Sequence, residues 1–229
     1  SYFSPSVNRR GKFFYFVYIF SVCMGHTTRE MRRYENVDIN KLIKYIYISP
    51  MAENYIKNTI IQTLKKASKI EIDMICPLHG FIWRKNISHY VDKYINWATY
   101  TPEEKTVLVA YASIYDNTKN SAEILASELA KLGVKNIKMF DVSITHPSYV
   151  LAEAFRCSHI VLASPTYNAE IFTPMDTFVR YLVAHNLQNR TFALIENGSW
   201  APNSAKLMRE ILSECKNMNF KENTISIKS

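Results

Sequence analysis

From residue 106 onward the chain alternates between two hydrophobic rhythms. Residues 106–112, Thr-Val-Leu-Val-Ala-Tyr-Ala, form an unbroken β-prone run of the kind a parallel sheet buries on both faces. A polar loop follows. Residues 120–132 then carry Ala122, Leu125, Ala126, Leu129 and Leu132 at the spacing of one helix face, with Gly133 placed to cap the end. The same alternation predicts strands over 136–142, 159–164, 191–196 and 223–228, and helices over 147–156, 172–186 and 204–216. Five strands interleaved with four helices describe an α/β fold, a doubly wound five-stranded parallel sheet with right-handed crossovers.

The first hundred residues lack this regularity. Residues 13–22 are apolar and follow Arg9, Arg10 and Lys12. A membrane helix needs about 20 such residues, so the run is too short to span. Its length would suit a signal-peptide core, but no small-residue cleavage site follows. Its Phe, Tyr, Val and Ile content predicts a buried strand instead.

Ligands of doubly wound sheets bind beyond the carboxyl ends of the strands, where the strand order reverses. The loops leaving the first, third and fourth predicted strands are therefore the candidate site. The first contains Ser113, Ile114, Tyr115, Asp116, Asn117 and Thr118 and leads into a helix N-terminus, where free N–H groups and the dipole favour an anion. It has no Lys or Arg, so a phosphate there would rely on backbone N–H groups and the Ser113 and Thr118 hydroxyls. An ordinary N-cap by Asn117 or Thr118 is the competing reading. None of the five glycines lies in this loop, which excludes a Walker P-loop and a G-x-G-x-x-G turn. Asp116 and Asn117 are the residues able to take the left-handed conformations such a turn needs. The second loop holds Ser164, Pro165, Thr166, Tyr167 and Asn168, and the third Asn197, Gly198, Ser199 and Trp200. Two rings, Tyr167 and Trp200, on adjacent loops can sandwich a planar heterocycle. A receiver domain shares the fold, but Tyr111-Ala112-Ser113 replaces the paired acids that would hold Mg²⁺.

Charge and cysteine usage narrow the field further. The net charge of +8 sits in the first half: residues 1–105 hold 16 Lys/Arg against 9 Asp/Glu, and residues 106–229 hold 12 against 11. Those basic residues are scattered, with no nucleic-acid-binding module among them, so neither a nucleic acid nor a membrane is an expected partner. Cys23, Cys76, Cys157 and Cys215 show no paired spacing, which fits reduced thiols and a cytoplasmic location.

The three loops together resemble the flavodoxin-like C-terminal domain of the flavodiiron proteins, or A-type flavoproteins. The matching stretches are Ser-Ile-Tyr-Asp-Asn-Thr at 113–118, Ala-Ser-Pro-Thr-Tyr-Asn at 163–168 and Glu-Asn-Gly-Ser-Trp at 196–200. Upstream, Met-Ile-Cys-Pro-Leu-His-Gly at 74–80 is similar to the end of that family's metallo-β-lactamase-like domain. The resemblance implies an organisation of 52–88 as the end of that α+β domain, 89–105 as a linker and 106–229 as the flavodoxin-like domain. Residues 1–51 stay unassigned, as a disrupted metallo-β-lactamase-like segment. It further implies FMN as cofactor, its phosphate on Ser113 to Thr118 and its ring between Pro165 to Asn168 and Asn197 to Trp200. A rubredoxin-like or NADH-linked electron donor and a homodimer are implied partners.

Two departures qualify those implications. Family members carry an H-x-E-x-D-H iron motif that this sequence lacks, and only His79 matches a ligand position, as a vestige. One imidazole cannot hold two irons, so the di-iron centre is expected to be absent. The α/β alternation also stops at the fifth strand, without the helix expected to cover one sheet face. Two functional readings follow. The first is an FMN-binding electron-transfer module of an oxygen- or nitric-oxide-reducing flavodiiron system; the second is a non-catalytic remnant that binds no flavin or acts only beside a complete chain.

Overall fold

The computed structural model describes residues 5–7, 13–15 and 83–228. His79, Cys23, Cys76 and most of residues 1–82 lie outside the described residues. The chain divides into two units, Ser1–Thr99 and Tyr100–Ser229. In the first, strands β1 (Pro5–Val7) and β2 (Phe13–Tyr15) pair antiparallel, with Pro5 opposite Tyr15. Helix α1 (Ile87–Ala98) follows, beginning two residues before the segment 89–105 read above as a linker and running into it. The Trp83 and Tyr90 rings pack with centroids 3.8 Å apart, and Ile87 and Val91 lie against them. At the helix end the Thr99 hydroxyl donates to the Ile95 carbonyl at 2.8 Å.

The second unit is the doubly wound sheet. Its parallel strands are β3 (Glu104–Tyr111), β4 (Lys138–Asp141), β5 (Cys157–Tyr167) and β7 (Thr191–Asn197), and β6 (Glu170–Ile171) hairpins onto the end of β5. The sheet order is β4-β3-β5-β7, with β8 (Asn219–Phe220) and β9 (Ile225–Ile227) both along the outer side of β7. These last two act as one interrupted fifth strand. Thr191 pairs with Asn219 but Ile195 with Ile225, so two extra residues bulge out between them. The expected strand over 223–228 captured only the second half.

Helices α2 (Asn117–Lys131), α3 (Pro147–Arg156), α4 (Thr173–Ala184) and α5 (Ser204–Leu212) connect the strands. Helix α2 covers one face, where Ala122, Leu125 and Leu129 pack on Val107, Val109, Val161 and Ala163. The helix ends as its sequence demands: Gly133 takes φ +86°, the Gly133 N–H bonds to Ala130 and the Val134 N–H to Leu129. That pair of bonds is a Schellman motif, with Val134 packing back into the core cluster. Helix α5 stops four residues before the expected 216, because residues 213–217 form turns that lead into β8.

Arg190 holds the end of the sheet opposite the candidate site. It is 1% exposed, yet donates from Nε to Ala154 at 2.9 Å and from Nη1 to the Tyr100 and Gln188 carbonyls at 2.7 and 2.8 Å. Nη2 donates to Phe155. The guanidinium thereby satisfies carbonyls at the open end of α3, a place where cations are favoured.

A candidate anion and ring cleft at the switch point

Strand order reverses between β3 and β5, because β4 lies on one side of β3 and all later strands on the other. The loops leaving β3 and β5 must part there, and the gap is a cleft of about 210 Å³. It is lined by residues of all three predicted loops. Ser113, Ile114, Tyr115, Asn117 and Thr118 come from the first, Pro165, Thr166 and Tyr167 from the second, and Asn197, Gly198 and Ser199 from the third. No lining residue is charged.

The first loop presents donors. Asp116 is the residue before α2 and has φ 62°, the left-handed conformation expected of it; Asn117 does not share it, being already helical. The turn thus starts α2 at Asn117, three residues before the expected position, and neither Asn117 nor Thr118 is the N-cap. Asp116 makes no side-chain capping bond, and the N–H groups of Asn117 and Thr118 meet no acceptor among the described residues. The Lys119 N–H reaches Ser113 Oγ at 3.4 Å, and Asn197 Nδ2 donates to Thr118 Oγ1 at 3.3 Å. Behind the loop, burial and the carboxylates of Asp141, Glu123 and Asp116 push the Tyr111 phenol up from its ordinary value. Lys119 lies 4.0 Å from the Asp116 carboxylate and offsets part of that charge.

The second and third loops are tied to each other through α5. Thr166 Oγ1 accepts the N–H groups of Asn203 and Ser204 at 2.8 and 3.1 Å, and Glu196 Oε2 accepts that of Ala205 at 3.1 Å. Glu196 also accepts from Ser226, and the Ser204 hydroxyl donates to the Ser164 carbonyl at 2.8 Å. Helix α5 has its first N–H groups filled by protein acceptors, whereas among the described residues those of Asn117 and Thr118 in α2 meet none. Of these two helix starts, that of α2 is the one with N–H groups available to an anion among the described residues.

Ser164 is fully buried and forms the wall behind the cleft rather than its surface. Asn168 sits at φ 51° and Ala169 at φ 63°, the two central residues of the β5–β6 hairpin turn. Asp116, Asn168 and Trp200 are not among the lining residues; the Trp200 indole is 96% exposed beside Ser199. Gly198 approaches Pro202 so closely that a Cβ there would lie 3.1 Å from the Pro202 backbone, and its N–H bonds to the Ile227 carbonyl. Tyr167 is half-exposed, and Tyr115 is 84% exposed. Tyr115 is thus a third exposed ring at the cleft, beyond the Tyr167 and Trp200 pair expected from the loops. The available signal was its position directly before Asp116, a residue suited to the left-handed turn that it takes at φ 62°.

This donor set fits a phosphate monoester carrying a flat ring. The α2 end supplies N–H and hydroxyl donors with no charged side chain among the lining residues, and Tyr115 and Tyr167 contribute rings to that lining. Among the described residues no group of three or more His, Cys, Asp or Glu could hold a metal, and no helix is long and apolar enough to cross a membrane.

No family model matches the chain. It is 27% identical over 161 residues to a nitric oxide reductase of Moorella thermoacetica, covering 69% of this chain and 40% of that protein. Its fold matches the rubredoxin oxygen:oxidoreductase of Desulfovibrio gigas with a TM-score of 0.72 at 20% identity, over 84% of this chain and 49% of the other. The flavodiiron protein of Giardia intestinalis matches with a TM-score of 0.69 at 19% identity, over 82% and 48%. The chain thus spans 40% of the curated relative and about half of each solved chain.

Proposed function

We propose, from the premise that this chain is a relative of the flavodiiron proteins, that its second unit is an FMN-binding electron-transfer module. The observation that carries this reading is the start of α2, where two N–H groups unpartnered among the described residues and two hydroxyls line a cleft with loops that carry exposed rings. Asn117 and Thr118 would bind the phosphate through backbone N–H groups, and Ser113 and Thr118 through their hydroxyls. Tyr167 and Trp200 would flank the ring, and Tyr115 would shield it from water. FMN, when bound, supplies redox chemistry that takes up electrons in pairs and releases them singly.

The reaction served would be reduction of oxygen or nitric oxide, the activities named for the Desulfovibrio and Moorella proteins. A rubredoxin-like donor is proposed on the same footing. The sequence carries no H-x-E-x-D-H motif, which favours electron carriage by this chain over reduction at an iron site of its own.

The test is a titration of free FMN with the purified chain, followed by flavin fluorescence. Quenching that saturates near one FMN per chain supports the module. Absence of quenching at micromolar protein supports the flavin-free remnant instead. Metal analysis on the same preparation bears on the irons, and two irons per chain would overturn the proposed absence of a di-iron centre.

A further inference from the structure

Thr118 lies in the first turn of α2 and Asn197 ends β7, the two meet in the cleft's polar wall, and both are buried: 1% and 5% exposed. A threonine hydroxyl has one proton to give and two lone pairs to offer. Here Asn197 Nδ2 donates to Thr118 Oγ1 at 3.3 Å, so the amide occupies the acceptor side of the hydroxyl. The hydroxyl proton has no acceptor among the described residues, although the group is almost completely buried and lines the cleft. Ser113 repeats the arrangement more weakly, its Oγ accepting the Lys119 N–H at 3.4 Å. A buried donor left without a partner is costly, which makes a ligand that supplies only acceptors the natural complement.

We infer that Asn197 is a positioning residue that fixes the Thr118 hydroxyl as a donor and so sets the preference of this site for a phosphorylated over an unphosphorylated flavin. The inference rests on the flavin reading above and deepens it. Asn197 ends β7 and opens the loop that carries Gly198, Ser199 and Trp200. The same residue that begins the ring-side loop therefore aims a donor at the phosphate side. Removing the amide frees the hydroxyl to rotate and to donate elsewhere. Replacing it by a carboxylate is worse: Thr118 would donate to the carboxylate, and a negative charge would face the phosphate.

The experiment measures dissociation constants of the full chain for FMN and for riboflavin, in wild type, Asn197→Ala, Asn197→Asp, Thr118→Val and the Asn197→Ala/Thr118→Val pair. Circular dichroism of each variant establishes that it folds. Asn197→Ala is expected to lower the FMN-over-riboflavin preference about tenfold, the effect of one hydrogen bond to a charged group. Asn197→Asp lowers it further, and riboflavin affinity stays within about twofold in both. The double variant is no worse than the poorer single one, because both remove the same interaction. Equal loss of FMN and riboflavin in Asn197→Ala, or additive losses in the pair, would overturn the positioning role while leaving the flavin site standing. Wild-type protein that binds neither ligand would overturn the flavin reading itself. If Asn197→Ala does not fold, Asn197→Asp and Thr118→Val decide the matter by the same ratio.

Discussion

Arg190 Nη1 donates to the carbonyl oxygen of Tyr100 at 2.7 Å, joining the first residue of the second unit to the strand that ends at the cleft. Tyr100 is itself buried, its ring tilted against Phe155 at 5.9 Å, and its hydroxyl accepts from Asn186 at 3.1 Å. Removing the guanidinium leaves several carbonyls buried without donors, each costing about 1–3 kcal/mol. Arg190→Met is therefore expected to lower unfolding free energy by about 3 kcal/mol or more. Arg190→Lys recovers only part of that, since an ammonium cannot span the same carbonyls. Urea unfolding of the three proteins checks the order.

The hairpin between β5 and β6 holds a non-glycine residue where glycine is preferred. Asn168 tolerates its φ of 51°, but Ala169 at φ 63° bears a left-handed penalty of about 1 kcal/mol. Ala169→Gly relieves it at some entropic cost in the unfolded chain. The net expectation is a small rise in melting temperature, and Ala169→Val, β-branched at the same φ, should lower it. A glycine variant less stable than wild type would contradict the turn geometry.

The two described cysteines are buried, and burial is the main cause pushing the Cys157 thiol up to about 12 and Cys215 up to about 11. A thiol whose folded value lies above its ordinary 9.0 binds its proton more tightly in the folded state. Its contribution is therefore undiminished below the unfolded value, and stability is lost as pH rises through the folded one. Alkylation at pH 8, mapped by mass spectrometry, should be slow at Cys157 and Cys215 in native protein and fast in denaturant. Rapid native labelling of Cys157 would show that its environment opens.

Trp200 offers the clearest optical report. Its indole is 96% exposed, so its fluorescence should be readily quenched by iodide in the protein alone and protected once FMN is added. Trp200→Ala is expected to weaken FMN binding by about fivefold, the worth of roughly 1 kcal/mol of ring stacking. Unchanged iodide quenching with FMN at saturation would remove Trp200 from the ring site and leave Tyr115 and Tyr167 there.

Much of the sheet was legible because parallel strands buried on both faces show as unbroken apolar runs, as residues 106–112 and 159–164 do. Helix α3 was found at its full length from Pro147 onward, since proline at the first helical position and an apolar face mark it clearly. Other features depend on tertiary partners and leave little local trace. Arg190, between Asn189 and Thr191, reads as a surface charge until the α3 carbonyls arrive around it. Asn219–Phe220 is too short and too polar in its surroundings to announce a strand; Phe220 is held by Phe192, ring centroids 5.7 Å apart, and by the Arg209 guanidinium 4.7 Å above its ring. At the cleft, the three loops were identifiable from topology and residue types. The direction of each hydrogen bond between them was not, because Thr118 and Asn197 are 79 residues apart.

The bond from the Gly198 N–H to the Ile227 carbonyl has a mechanical meaning. The third loop is tethered to a short strand that, among the described residues, has a partner on one side only, so a load applied along Ile225–Ile227 is transmitted to Gly198. The start of α2 would feel it only through the single bond from Asn197 to Thr118, since Asn197 pairs with Ile227. Pulling on this strand, or slipping it by a register, would act as a tuning peg for the ring end of the cleft.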